Sequence, residues 1–314
     1  MSIRLLLPSC LLLCLLVWAC TPKTGEKTTT PPPSTTTTKP EPVVEEEPLS
    51  PCKSWAKAPN KDDIIESHVL YKDRLREIRD ERRKGAAADE AKIQQLYTEA
   101  FGLWEEAYTM APAADGKRAD HFEDGIRLYD NQYRTAKDEA AKKVAVDNIM
   151  RLHDERAECY GEEGYIIGRK GFDYYYKYPE FATDMEKYTM LKKSLDMDGK
   201  EANYFILNPL TGLVANLVVN KKISVAEAQQ YQKGIMEALN HGLANCKTDK
   251  ECEPWKIIES YAPARLEQLE GIKGFYDCDY YKEWYYASFE ADPQNCEIID
   301  EVLSRFRWGL VRKR

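Results

Sequence analysis

Cysteine is the residue type whose placement in this sequence points most directly to chemistry. There are nine, and six of them, Cys52, Cys159, Cys246, Cys252, Cys278 and Cys296, lie beyond the first fifty residues. An even number of cysteines in a chain that starts like an exported protein is expected to form disulfides. Cys246 and Cys252 flank the polar stretch Lys247-Thr-Asp-Lys-Glu251. A loop of that length brings two α-carbons within bonding reach, whereas a continuous helix would hold them too far apart along its axis. The partners of Cys278 and Cys296 stay open. No CxxC occurs, and His68, His121, His153 and His241 are far apart in the chain. The sequence therefore predicts no metal site and no cofactor.

Two further constellations carry weaker chemistry. Ile257-Ile-Glu259-Ser260 resembles the glutamate-serine signature of lytic transglycosylases, where the glutamate is a proton donor of raised pKa in a cleft. The Gly-Leu-Met-Gln segment of that family is replaced here by Ala262-Pro-Ala-Arg-Leu-Glu267, so a helix end with surface charge is expected instead. Asp196-Met-Asp198-Gly199 resembles the opening of a calcium loop, but its glycine stands fourth where an EF-hand needs it sixth. A turn is expected. No residue set specifies a reaction, and the chain is read as a non-enzyme with no catalytic, cofactor-binding or metal-binding residues.

Residues 1–19 read as an export signal: a basic start at Arg4, then a mostly apolar run from Leu5 to Trp18. The run is too short to span a bilayer. Val17-Trp18-Ala19-Cys20 resembles the lipobox of bacterial lipoproteins, with an aliphatic residue at −3, a small one at −1, and the cysteine that receives lipid. Trp18 is larger than that pattern prefers. The resemblance implies cleavage before Cys20, a diacylated thioether and an acylated amine carrying palmitate-like chains, and an address in the bacterial envelope at the outer membrane. More than one acyl chain is what stable anchoring requires. Cleavage that releases a soluble protein and an uncleaved membrane helix are the alternatives.

Residues 20–51, rich in Thr, Pro and Glu, hold almost nothing that can be buried, so they are expected to be a disordered tether. Its prolines favour extended polyproline II, which at about 3 Å per residue would reach several tens of ångströms. The net charge of −8 becomes −9 once Arg4 is removed with the signal. That balance argues against nucleic acid as a partner. The basic tail, Arg305, Arg307, Arg312, Lys313 and Arg314, reads as cations at a helix C-terminus.

The elements that must position the remaining residues are helices, because alternating β-branched runs bounded by hairpin turns are missing. Ala100, Trp104, Ala107 and Pro112 have the spacing of a second helix in a tetratricopeptide repeat. A partner helix is predicted from Asp62 to Arg83, capped by Asn60, with Ile65, Val69, Leu75 and Ile78 recurring at helical spacing. A second pair runs over His121–Tyr133, with Gly125, Leu128 and Tyr129, and Ala140–Cys159, with Val144, Ile149 and Leu152. A third starts at Tyr165 with Gly168 and Gly171 and ends at Pro179. Beyond it the repeat match fades, although Thr183 with Glu186 and Ser224 with Glu227 read as capping boxes. Tyr204–Val219 reads as a buried helix around a break at Asn208-Pro209, and Asp292-Pro293 opens the last helix. The fold class is thus all-α: an antiparallel helix-pair array of eleven or twelve helices, a tetratricopeptide-like right-handed superhelix after the tether. Helix pairs occupy 52–180 and further, degenerate helical repeats 181–314. Because antiparallel helices alternate direction, the start of the first helix and the end of the fourth share an edge. Cys52 and Cys159 are therefore predicted to pair, with two free thiols as the alternative.

Taken together, Cys52-Lys-Ser-Trp55, His68-Val-Leu-Tyr71, Ala111-Pro-Ala-Ala-Asp115-Gly-Lys-Arg118, Asp124-Gly-Ile, Cys159-Tyr, Gly168-Arg-Lys-Gly171 and Asp277-Cys-Asp-Tyr-Tyr281 resemble a family of tetratricopeptide-like bacterial lipoproteins. The resemblance covers most of residues 52–290. It implies a helical fold and an envelope location, and no activity. The family pattern tends to end in glycine-cysteine, where Gly309-Leu310 stands here. Repeat arrays expose long binding faces, so the predicted role is a protein–protein interaction scaffold in the envelope, with envelope proteins as partners. The alternative is a nutrient- or glycan-binding lipoprotein. Tyr174, Tyr175, Tyr281, Trp284 and Tyr285 are the candidate groove aromatics, against the alternative that such rings pack as core ridges.

Overall fold

A computed structural model describes residues 50–267, 269, 272, 275 and 278–312; the side chains of 278–281, 283–285 and 305–312 are outside that description. The expectations for the signal, Cys20 and the tether therefore lie outside the described residues. Among those residues there are twelve α-helices and no strand. They are α1 (Lys61–Arg82), α2 (Glu90–Met110), α3 (Asp120–Thr135), α4 (Glu139–Tyr160), α5 (Glu163–Tyr176), α6 (Asp184–Asp198), α7 (Tyr204–Val219), α8 (Val225–Asn245), α9 (Asp249–Glu259), α10 (Ala262–Glu267), α11 (Cys278–Ala291) and α12 (Cys296–Arg312).

The cross-helix contacts give the arrangement directly. Ser67 bonds Glu106, Arg74 bonds Glu99 and Glu81 bonds Lys92, so partners run backwards along α2 as they advance along α1. Sequential helices are thus antiparallel. Next-but-one helices are parallel: His68 meets His121 and Tyr71 meets Asp124 across α1 and α3. Lys192 bonds Glu227 and Tyr231 bonds Asp196 across α6 and α8. Antiparallel neighbours with parallel second neighbours make a helix-pair array, in which each face is buried by stacking on the next pair.

Close packing is set by small residues. A Cβ on Gly125 would strike Trp104 and Leu152, so the glycine of α3 and the tryptophan of α2 interlock. In α5, Gly164, Gly168 and Gly171 recur every three or four residues and face Asp198, Ser194 and Leu191 of α6. The third pair is therefore α5 with α6. It runs past the predicted end at Pro179 to Asp198, so the boundary drawn at residue 180 falls between two partner helices.

Other details differ from expectation for local reasons. The buried stripe of α1 is Ile64, His68, Tyr71, Leu75 and Ile78. Of the predicted positions Leu75 and Ile78 are buried, Ile65 is half-buried beside Ile64, and Val69 is 49 % exposed with its neighbour His68 taking the core. Val144 of α4 is likewise exposed, and Val146 takes the core. Asn60 does not cap α1, because its amide donates to the Met110 sulfur. Thr183 and Glu186 form a reciprocal capping box. Ser224 caps α8, but Glu227 turns away to Tyr188 and Lys192. α7 runs unbroken through Pro209. Its apolar residues, among them Ile206, Leu207, Leu210 and Val214, are buried on several sides, and that packing outweighs the bond a proline removes. No described helix is long and apolar enough to cross a membrane.

Two cores result. One gathers aromatic residues of α1–α4, with Tyr71, Trp104 and Phe122 buried, and Tyr178 from just after α5. The other is mainly aliphatic and spans α6–α8 with Ile258, Leu266 and Phe275.

Candidate functional site

Two regions collect the residues that could act. The first is the junction where the N-terminal segment meets the array. Cys52 and Cys159 are bonded, with α-carbons 5.1 Å apart. The lead into α1 and the end of α4 thus lie on one edge, as the alternation of helix direction predicts. Two backbone bonds pin the same segment to the loop after α2: Trp55 N–H donates to Ala114 O, and Ala113 N–H to Lys53 O. Tyr160, next to Cys159, donates to Ala113 O or Arg118 O at 2.9 Å. Trp55 closes over His68 and His121, with ring centres 5.0 and 5.6 Å away.

Beneath Trp55 the two histidines touch, His68 Nδ1 to His121 Nε2 at 3.0 Å. His121 Nδ1 faces the Ala111 carbonyl at 2.8 Å, which only accepts, so that nitrogen carries a proton. In the neutral pair, His68 Nδ1–H then donates to His121 Nε2. Burial pushes both rings down, His121 to about 4 and His68 below its ordinary value with help from Lys72. Neutral imidazoles, locked by carbonyl and ring, form a structural cluster. Asp124, below it, binds Lys72 and Arg127. The segments around Trp55, His68, Ala111 and Asp124 thus converge on one place, which their spread along the chain conceals. A similar pair lies deeper, where His153 Nε2 is 3.4 Å from Asp173 Oδ2. Burial lowers His153. Burial raises Asp173, but His153, Lys177 and Arg169 outweigh it and hold the carboxyl below its usual range. Among the described residues no group of three or more His, Cys, Asp or Glu is arranged to hold a metal ion.

The second region is an open groove of about 370 Å³ between α5, α7 and α9. Arg169, Phe172 and Tyr176 project from one face of α5, spaced three and four apart. Tyr204, Phe205 and Asn208 come from α7, Ile257 and Ile258 from the end of α9, and Tyr261 from the turn that follows it. The rings are mutually braced: Phe172 lies 4.7 Å from Tyr176 and 5.6 Å from Phe205. The Arg169 guanidinium covers Phe172 and Phe205 at 5.0 and 5.3 Å. Asn208 is tied to the Tyr176 hydroxyl and accepts from Arg265 at 2.8 Å. Tyr176, Tyr204 and Ile257 are 45 %, 39 % and 53 % exposed, so the apolar surface faces solvent. Arg169 is the one charged residue in the lining.

The aromatics singled out in the sequence fall elsewhere. Tyr174 packs on the first core and Tyr175 on the second, both half-buried, and the groove is lined instead by Tyr176 of the same run. Consecutive helical residues point about 100° apart, so each tyrosine of the run meets a different neighbour. The Arg169, Phe172, Tyr176 spacing is the signal that could have found the face. The side chains of Tyr281, Trp284 and Tyr285 lie outside the described residues, as does that of Cys278. Cys246 and Cys252 are bonded across the break between α8 and α9, with α-carbons 5.2 Å apart. Cys296 is free and exposed. Glu259 stands exposed in the last turn of α9, and Ser260 donates to Ile257 O, so they form a helix end on the surface. Asp196 and Asp198 belong to α6, and Asp196 accepts from Tyr231; Gly199, at φ 54°, makes the turn. No family model matches the chain, and neither the curated proteins nor the solved structures yielded a match.

Proposed function

We propose that this protein is a lipid-anchored, non-enzymatic helical-repeat scaffold of the bacterial cell envelope, held through Cys20 and related to tetratricopeptide-like lipoproteins. The observation that carries the binding role is the solvent-facing aromatic groove between α5, α7 and α9. Its preformed rings lose little freedom on binding, and aromatic anchors with an arginine are the residues that dominate protein interfaces. Arg169 lies over Phe172 and Phe205, 3.9 Å from Asp173, and brings the one cation to the lining, which matches an occupant with apolar side chains and one acidic group. The occupant is an extended segment of another envelope protein. A glycan would need several unengaged polar groups, and the groove's one amide, Asn208, is already held by Tyr176 and Arg265.

A photo-crosslinker at Ile257 in intact cells should trap one discrete protein, and the adduct should disappear with Arg169→Glu. The same probe at Val144, exposed on α4, should trap nothing comparable. Equal labelling from both positions, or adducts to polysaccharide alone, would overturn the scaffold reading. Cys20→Ser should move the protein out of the membrane fraction; an unmodified Cys20 at the mature N-terminus would refute the anchor.

A further inference from the structure

A second recess, of about 390 Å³, lies where α1, α2 and α3 meet, and its chemistry differs from that of the aromatic groove. Arg79 and Arg82 enter it from the last turn of α1. Arg127 and Arg134 enter from α3, and the apolar wall is Leu75, Ile78 and Tyr97. The parallel register of α1 and α3, with Tyr71 beside Asp124, brings Arg79 and Arg82 level with the end of α3 where Arg134 stands. Four guanidiniums therefore share one concavity with one lining carboxylate, Asp130, in a chain whose net charge is −8.

The acidic groups nearby are already engaged. Asp130 accepts from Arg134 at 2.8 Å and from the Tyr178 hydroxyl at 2.8 Å. Asp124 holds Lys72 at 2.7 Å and Arg127 at 3.0 Å. Arg82 lies over the Tyr97 ring, 5.4 Å from its centre, which fixes its fork without using its N–H groups. Like charges gathered in a concavity repel one another, and an anion placed between them removes that cost. Guanidinium forks pair with carboxylates two bonds at a time. The cations extend over two helices rather than around one point. The apolar wall beside them suits the methylene stem of a glutamate, and the volume is that of a ligand-sized site.

The geometry points to a binding site for an acidic peptide segment, a run of two or more carboxylates on a partner protein. It stands independently of the aromatic groove. The test is fluorescence anisotropy of a labelled, amidated tetra-glutamate peptide on the full chain. Binding should weaken roughly tenfold in Arg79→Gln/Arg82→Gln and between about 50 and about 500 mM salt. Arg127→Gln/Arg134→Gln should act in the same direction. All four arginines are exposed, so unchanged helicity by circular dichroism is expected to accompany the loss. A tetra-glutamine peptide should not bind. Absence of binding by the tetra-glutamate peptide, binding undiminished in both double variants, or inorganic phosphate binding as tightly as the peptide would overturn the proposal.

Discussion

The two cores solve the same packing problem with different materials. The first, in α1–α4 and the end of α5, is built from rings and buried polar groups: Tyr71, Trp104, Phe122 and Tyr178 with His68, His121, Asp124, His153 and Asp173. The second, around α6–α8, is largely leucine, isoleucine and valine, with Leu207, Leu210 and Val214 almost fully enclosed. Aliphatic burial is non-directional and indifferent to protons. The first core is directional, because each buried polar atom needs its partner in place. Trp104 shows the consequence: its indole N–H donates to His121 O at 2.7 Å, and a Cβ on Gly125 would displace it. The first core therefore responds to pH and the second is held mainly by volume, while each half carries one disulfide, a long crosslink in the first and a short one in the second.

Removing the long crosslink should separate the halves most clearly. Cys52→Ser/Cys159→Ser opens a loop with a sequence separation of 107. In the chain-entropy model that costs up to about 4–5 kcal/mol. Hydrogen exchange should rise in α1–α4 and stay unchanged in α7 and α8; a uniform rise would abolish the distinction. Acid comes next. His121 has a folded pKa of about 4 against an ordinary 6.5, so the unfolded chain takes up the proton first. The stabilisation is complete above the ordinary value and is lost as pH falls from about 6.5 towards 4, by an amount of order 3 kcal/mol. His68 and His153 are lowered too and act in the same direction. Urea denaturation at pH 7 and at pH 4.5 should show the loss, and His121→Gln should flatten it. A profile that is level across this window would remove the pH sensitivity assigned to the first core. The smallest effect belongs to Cys246→Ser/Cys252→Ser. Its short loop is worth about 2 kcal/mol, and the loss should show as faster exchange at the α8–α9 corner alone.

The sequence exposes some of this organisation and hides the rest. Helix positions follow from periodicity and caps, so the ends of α1, α3 and α4 fall within one or two residues of expectation. The two disulfides follow from loop length and helix direction. Side-chain facing is less legible. His68 and Tyr71 take buried positions of α1 while Val69 faces water, because polar residues with partners in α3 pack as well as apolar ones do. The aromatic groove joins Tyr176 of α5 to Tyr204 of α7 and on to Tyr261, far along the chain, and no local pattern encodes such a meeting. Arg79, Arg82, Arg127 and Arg134 read as ordinary solvated charges until the parallel register of α1 and α3 sets them side by side.

The Cys52–Cys159 bond also decides how the molecule carries load. A pull on the chain ahead of Cys52 crosses the sulfur bridge and enters the array at the end of α4. The 107-residue interval between the two sulfurs is mechanically bypassed. Helices α1 to α3 stay slack under tension, and the first helix to feel traction in full is α5, which supplies Arg169, Phe172 and Tyr176 to the groove.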